Sequence, residues 1–502
     1  MNCARTVREH GLKDVEASID VAQDSMGAIR SVLQNEGPGR LLPAIPAMAA
    51  LLGLGAISLW LWLASPGPIQ LRVPGADQAP GDGQNGAKGN PALAGRLTVG
   101  DGKPADLPGA WPGFRGATLD GISHESATLA RTWPTSGPRP LWSIEVGEGY
   151  AGAAISQGRV YVMDYDREKR QDALRCLSLA DGKEIWRYAY PLPVKRNHGM
   201  SRTVPAVTDK FVVAMGPKCH VVCLDASSGE LRWAFDLVRE FGATVPPWYA
   251  GQCPLIENGL VILAVGGPDA LMLGVDCESG KTVWKTPNPN RWKMTHSSVV
   301  PMEFGGQRMY VYCASLGVVG VSAKDGALLW ETPDWKISIA TIPSPLILEE
   351  GRVFLSGGYD AGSVMLQLKA EDGRFACQTL FKLAPRVFGA TQHTPIYYNN
   401  QIYGVRPDGQ FVCLDTEGKV VWASGPGSTF GLGSFLISNG LIFALNDSGK
   451  LSLLEAAPAR FNKLADAQVL QGRESWGPLA LANGRLIARD FTRMVCLDVS
   501  KN

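Results

Sequence analysis

The chain has almost no charge imbalance: 48 lysines and arginines face 47 aspartates and glutamates, a formal net of +1 over 502 residues. That removes the bulk electrostatic case for a nucleic-acid partner, which calls for a basic face. Histidine is scarce, at six. No Cys-x-x-Cys-His occurs, so a c-type haem attachment is excluded. No two of the ten cysteines are adjacent, and none closely follows the long apolar run, which argues against a lipid-anchored lipoprotein. No Ser/His/Asp or paired-carboxylate arrangement is readable along the chain.

Charge is also missing locally. Nothing between Leu41 and Leu71 is charged, and Leu41–Ala64 is dense in Leu, Ala, Ile and Trp. That run exceeds the roughly 20 residues that a helix needs to cross a bilayer core. Pro43 and Pro46 fall in its first turns, where a missing N–H is cheapest, and Trp60 and Trp62 suit the interface at its far end. A cleaved signal peptide has a short basic leader and an apolar core of about 7–15 residues. Here the leader is 40 residues long, which favours an uncleaved anchor. Arg30 and Arg40 before the span and Arg72 after it give a thin bias toward a cytoplasmic N-terminus. The expected location is the inner membrane, single-pass, with the rest of the chain exported to the periplasm.

Before the span, Leu12, Val15, Ile19, Ala22, Met26, Ile29 and Leu33 form an a/d stripe that stops at Gly37-Pro38. It reads either as an amphipathic helix on the membrane or as a short coiled coil that pairs two copies into a homodimer. After the span, Pro66–Pro108 is rich in Gly, Pro and Asp and reads as a flexible tether. The expected organisation is residues 1–40 cytoplasmic helix, 41–64 anchor, 65–108 linker and 109–502 folded domain.

What is abundant is glycine, at 58, and tryptophan, at 14, and a repeat explains much of both. A small turn ending in Gly is followed four residues later by Trp: Gly182 to Trp186, Gly229 to Trp233, Gly280 to Trp284, Gly326 to Trp330 and Gly418 to Trp422. At Gly373 the step survives with Cys377 in the Trp position. The Trp-equivalents are 47, 51, 46, 47 and 45 residues apart, the period of four-stranded propeller blades. Eight blades are expected: 153–186, 203–233, 253–284, 297–330, 344–381, 394–422, 434–470, and 478–498 completed by 140–146. In the last, an N-terminal strand around Trp142 closes the ring and removes its open edges. The fold class is therefore an all-β eight-bladed β-propeller, preceded by a transmembrane helix and a short amphipathic helix. Cys176, Cys223, Cys413 and Cys496 share one repeat slot, which Gly274 and Gly320 fill in two other blades. Such a slot asks for a small buried side chain rather than a disulfide.

The phrases Val221-Val-Cys-Leu-Asp225…Gly229-x-x-x-Trp233 and Phe411-Val-Cys-Leu-Asp415…Gly418-x-x-x-Trp422 resemble the repeats of quinoprotein-type propellers. That superfamily includes the pyrroloquinoline quinone (PQQ) dehydrogenases and the non-enzymatic BamB-like outer-membrane assembly proteins. From Trp111 onward, including Trp-Pro-Gly-Phe-Arg-Gly, the chain is similar to the PQQ-like repeat proteins abundant in planctomycetes. The resemblance implies a propeller and leaves function open. The dehydrogenases carry a vicinal Cys-Cys ring and a Ca²⁺ site of Glu, Asn and Asp with a catalytic Asp, and this sequence has no matching motif. A divergent PQQ-dependent oxidoreductase with Ca²⁺ is thus the alternative. The leading expectation is a non-catalytic binding or scaffold module at the cell envelope, with no cofactor and a glycan or envelope-protein partner.

The connectors entering each inner strand form one mouth of a propeller channel, and four are long and chemically loaded. They contribute His198, Arg202, Tyr249, Gln252, Lys293, His296, Gln392 and His393, and a shorter one adds Trp476. The connectors at Tyr150–Gly152 and Phe430–Gly433 offer mostly small residues that leave space. Three readings of this rim stand: side chains that fill the channel and satisfy connector backbone, a small-molecule or glycan pocket, or a transition-metal site built on His198, His296 and His393.

Overall fold

The computed structural model describes Gly55, residues 89–196 and residues 198–501. The N-terminal amphipathic helix and, but for Gly55, the expected transmembrane anchor lie outside the described residues. No helix among those described is long and apolar enough to cross a membrane. The propeller lies within one compact unit, residues 73–502.

Eight sheets, each built on a four-stranded antiparallel blade, follow one another along the chain. Seven are consecutive: 153–191, 206–236, 255–286, 300–332, 346–383, 396–423 and 435–468. The eighth joins Ala480–Ala482, Arg485–Arg489 and Arg493–Asp498 to Arg139–Glu145, with Trp142 opposite Cys496. The N-terminal strand closes the ring as its sequence implied. Blade seven does have an outer strand, Lys463–Gln468, although it lacks the Gly-x-x-x-Trp step.

Inner strands such as Ala153–Ser156 are buried throughout, and outer strands such as Thr282–Thr286 alternate. Each inner strand lies between neighbouring blades, whereas an outer strand turns one face to water.

The repeat is a contact between blades. Gly182, Gly229, Gly280 and Gly326 all have φ between +68° and +78°, a region costly for other residues. Each also lies under the tryptophan of the preceding blade: Trp142, Trp186, Trp233 and Trp284 respectively. A Cβ at any of the four would fall 2.5–2.9 Å from that ring. Two of the four indoles also donate into the next blade, from Trp142 to the Leu179 carbonyl at 3.0 Å and from Trp233 to that of Cys277 at 2.8 Å. Glycine is thus required twice, for the turn and for the ring above it. The slot residue lies opposite the tryptophan, just before a bulge: Cys176–Trp186, Cys223–Trp233, Gly274–Trp284, Gly320–Trp330 and Cys413–Trp422. The nine described cysteines are all free and mostly buried, which fits packing thiols.

Blade five corrects the sequence reading. Its bulge follows Met365, whose partner is Phe381, while Cys377 faces Leu368. Phe381, not Cys377, therefore takes the tryptophan's place, and Gly418 of the next blade packs against its ring. The hairpin of Gly362–Glu371 and Arg374–Leu383 is longer than its counterparts, so counting four from Gly373 stops short.

The linker also ends sooner than residue 108. Pro91–Ala94 forms a 3₁₀ turn, and Arg96–Val99 adds a fifth strand to the outer edge of blade one, pairing with Trp186–Ala189. The Tyr188 hydroxyl donates to the Ala92 carbonyl at 2.7 Å. Edge pairing orders a segment whose composition alone reads as coil.

Two glycines separate turn strain from contact. Gly326 (φ +74°) lies against Trp284, and Gly259 (φ +77°) has nothing within 4 Å of where its Cβ would be. Gly259→Ala should cost about 1 kcal/mol, and Gly326→Ala about 1–3 kcal/mol more. Urea midpoints of the two variants measure the difference, and equal midpoints would remove the ring contact from the account.

Candidate functional site

Val204, Cys253, Ser298, Ser344, Thr394 and Ser434 stand at one repeat position, just before the inner strands of blades two to seven. They are stitched blade to blade. The Val204 N–H donates to Cys253 Sγ (3.2 Å), Cys253 N–H to Ser298 Oγ (3.0 Å), Ser298 N–H to Ser344 Oγ (3.0 Å), and Ser344 N–H to Thr394 Oγ1 (2.9 Å). Ser434 Oγ donates to the Gly477 carbonyl at 2.7 Å. A small side chain with a lone pair is what lets one blade satisfy its neighbour's backbone at this radius.

Beyond this ring the channel is blocked. Trp111 bridges to Ile155 of blade one, and the Val207 N–H of blade two donates to the Pro112 carbonyl. Arg115 then reaches blade six, diametrically opposite blade two, and Ile122 pairs beside Ile437 of blade seven. Residues 111–122 therefore cross the channel as a floor. Arg115 holds it: the buried guanidinium donates to the carbonyls of Leu119, Asp120, Thr394 and Pro395 at 2.8–3.2 Å. Burial lowers its pKa to about 10, against the pull of Asp120, so it keeps its charge at neutral pH.

Above the floor lies a cavity of about 310 Å³. Its wall includes Trp111, Phe114, Tyr150, Trp248, Tyr359, Phe435 and Trp476 as rings, and His198, His296 and His393 as imidazoles. Arg115 and Arg202 are its cations, and no aspartate or glutamate lines it. Tyr150 and Trp476 stack at 5.1 Å, and the Arg202 guanidinium lies 5.2 Å over the Tyr150 ring. The Tyr150 hydroxyl donates to Glu474 at 2.6 Å, and the Trp476 indole donates to Asp447 at 2.7 Å.

Of the nine residues singled out from sequence, six line the cavity: His198, Arg202, His296, Gln392, His393 and Trp476. The other three do not. Gln252 is buried with its amide paired both ways to the Ala264 backbone, inside its own blade. The Tyr249 hydroxyl turns away to the Lys195 carbonyl, and Lys293 is exposed. Tyr150, Tyr359, Arg115 and the ring of small residues were missed. Tyr150 lay in a connector dismissed as small. Tyr359 sits on a hairpin turn, and the floor has no counterpart in the repeat.

Two of the three histidines, His393 and His296, are held neutral. His393 accepts the Val405 N–H at Nε2 (2.9 Å), which puts its proton on Nδ1, and Nδ1 is buried without a hydrogen-bond partner. Burial lowers its pKa to about 4, with Arg115 adding to the effect. His296 donates from Nε2 to the Pro247 carbonyl at 2.8 Å, and burial followed by the charge of Arg202 also brings it to about 4. Among the described residues, no three His, Cys, Asp or Glu stand close enough to hold a metal ion.

Residues 169–424, just over half of the chain, match the family described as outer membrane protein assembly factor BamB. The chain belongs to that family. No curated protein is significantly similar to this BamB-family chain in sequence. Among solved structures, a europium-containing methanol dehydrogenase superposes with a TM-score of 0.53 at 12% identity, covering 76% of this chain and 89% of its own. BamB from Moraxella catarrhalis gives 0.49 at 15% identity, covering 72% and 99%. At such identities the likeness to the dehydrogenase speaks for the fold alone. The cavity tests the quinone directly. A calcium-bound PQQ needs carboxylate ligands, and none lines this wall, so the residues present do not fit it.

The depressed histidines carry a sign. Between about pH 6.5 and 4 the unfolded chain protonates His393 while the folded chain does not, so its contribution is complete above 6.5 and is lost as pH falls toward 4. Asp172, raised by burial to about 8, slopes the other way, so the informative quantity is a difference. His393→Gln should lose less stability than the wild type between pH 7 and pH 5 in urea titrations. Parallel pH profiles would contradict a neutral, buried His393.

Proposed function

We propose that this BamB-family propeller is a non-catalytic binding module of the cell envelope, which receives a ligand or the protruding end of a partner in the cup above its floor. One observation carries the reading: a dead-ended cavity walled by aromatic rings, neutral imidazoles and a guanidinium, with no carboxylate for metal or acid–base work. The family's description as an assembly factor supports a partner rather than a substrate. The uncharged run Leu41–Ala64 supports a single inner-membrane span with the propeller outside the cytoplasm.

The test uses the full-length protein in detergent. Thermal unfolding in the presence of fractionated envelope extract should rise for at least one fraction, since a ligand that binds only the native state stabilises it. Tyr150→Ala with Trp476→Ala should abolish that rise. Incubation with PQQ and Ca²⁺ should give no dye-linked alcohol oxidation. A stoichiometric quinone absorbance with turnover would replace the binding reading by a dehydrogenase.

A further inference from the structure

The cup selects for one chemistry. Its floor prevents a polymer from threading through, so only a chain end or a free molecule can enter. At about 310 Å³ it stands at the lower end of organic-ligand sites, roughly 300–1,000 Å³, with room for one ring. Two guanidinium groups line the wall: Arg115, bound to four carbonyls in the floor, and Arg202, which lies over the Tyr150 ring. Glu474, the carboxylate beside Tyr150, accepts that tyrosine's hydroxyl and is not part of the wall.

Two polar groups of the wall keep a donor. His393 carries its proton on Nδ1, a buried atom with no protein acceptor. Thr394 spends a lone pair on the Ser344 N–H and retains its own proton. A buried donor without an acceptor is costly, and a ligand oxygen would satisfy it. Tyr150 and Trp476 supply flat faces of the kind that pack against a pyranose ring.

We infer that the cup takes a terminal hexuronate, the end of an acidic glycan, with its carboxylate against Arg202 and its hydroxyls toward His393 and Thr394. This rests on the binding reading above. A flat aromatic acid would leave those donors unanswered. A peptide end would bring backbone N–H donors to a wall whose Ser298 and Thr394 oxygens already accept from protein backbone.

Calorimetry on the full-length protein in detergent, with glucuronate, glucose, benzoate and a tripeptide, tests the assignment. Glucuronate should bind at least tenfold tighter than the other three. Arg202→Gln should bring it down to the level of glucose while the thermal unfolding midpoint stays within a few degrees, and Arg202→Lys should recover part of the difference. Equal binding of glucuronate and glucose, tighter binding of benzoate or the tripeptide, or no binding of glucuronate would each overturn the proposal. If Arg202→Gln proves unstable, Thr394→Val serves as the second variant and should weaken glucuronate more than benzoate. A protein still stabilised by envelope extract, but indifferent to glucuronate, would sink the sugar and spare the cup. Indifference to both would remove the two together.

Discussion

The structure depends on an aromatic ring lying flat on a glycine of the next blade. That contact, made by Trp142, Trp186, Trp233, Trp284 and Phe381, joins successive blades across a surface that neither could bury alone. The N–H of Trp142, Trp233 and Trp422 also reaches the neighbour's backbone, as from Trp422 to the Ala457 carbonyl, whereas those of Trp186 and Trp284 are buried without a partner. Where tryptophan is absent, in blade five, Phe381 fills the same space at the same place relative to the bulge. The constraint is therefore a flat ring over a residue without a side chain, and hydrogen bonding is secondary to it. The same contact crosses the closure, since Trp142 of the N-terminal strand covers Gly182 of blade one.

With the outside of the ring fixed in this way, the inside is fixed by a second repeat of smaller residues. Cys253, Ser298, Ser344 and Thr394 each accept an N–H from the blade before. These bonds hold the start of each inner strand, and with it the connector that carries Arg202, His296 or His393 to the mouth. The floor adds what a repeat cannot, a segment used once, locked by Arg115. Position and chemistry are thus separated: the repeats place the wall, and the irregular connectors decide what it presents.

How much of this the sequence disclosed follows from that separation. The eight blades and the N-terminal closing strand were legible because each repeats a pattern at a fixed period, with glycine and tryptophan as marks. The inner ring repeats too, but Cys, Ser and Thr at long intervals leave no mark that stands out from ordinary surface polarity. Gln252 reads as a site residue and is structural, because a buried amide that pairs with its own strand looks in sequence like one turned to a ligand. Tyr150 shows the opposite failure, a functional ring hidden between small residues. Arg115 shows nothing of its role in sequence, since its four acceptors come from the segment itself and from blade six, some 280 residues on. The strand Arg96–Val99 escaped notice because it is fully exposed and gains its order from pairing with an edge.

The central claim is that the channel is a cup, closed by residues 111–122 and open at the connectors. Hydrogen–deuterium exchange on the full-length protein addresses it most directly, because a floor bonded to blades one, two, six and seven opens only when the ring itself opens. The account predicts that the Trp111 and Gly121 amides, which donate to Ile155 and Arg115, exchange as slowly as those of the inner strands. Exchange of that segment within seconds, while the blades remain protected, would mean an open channel and would contradict the account.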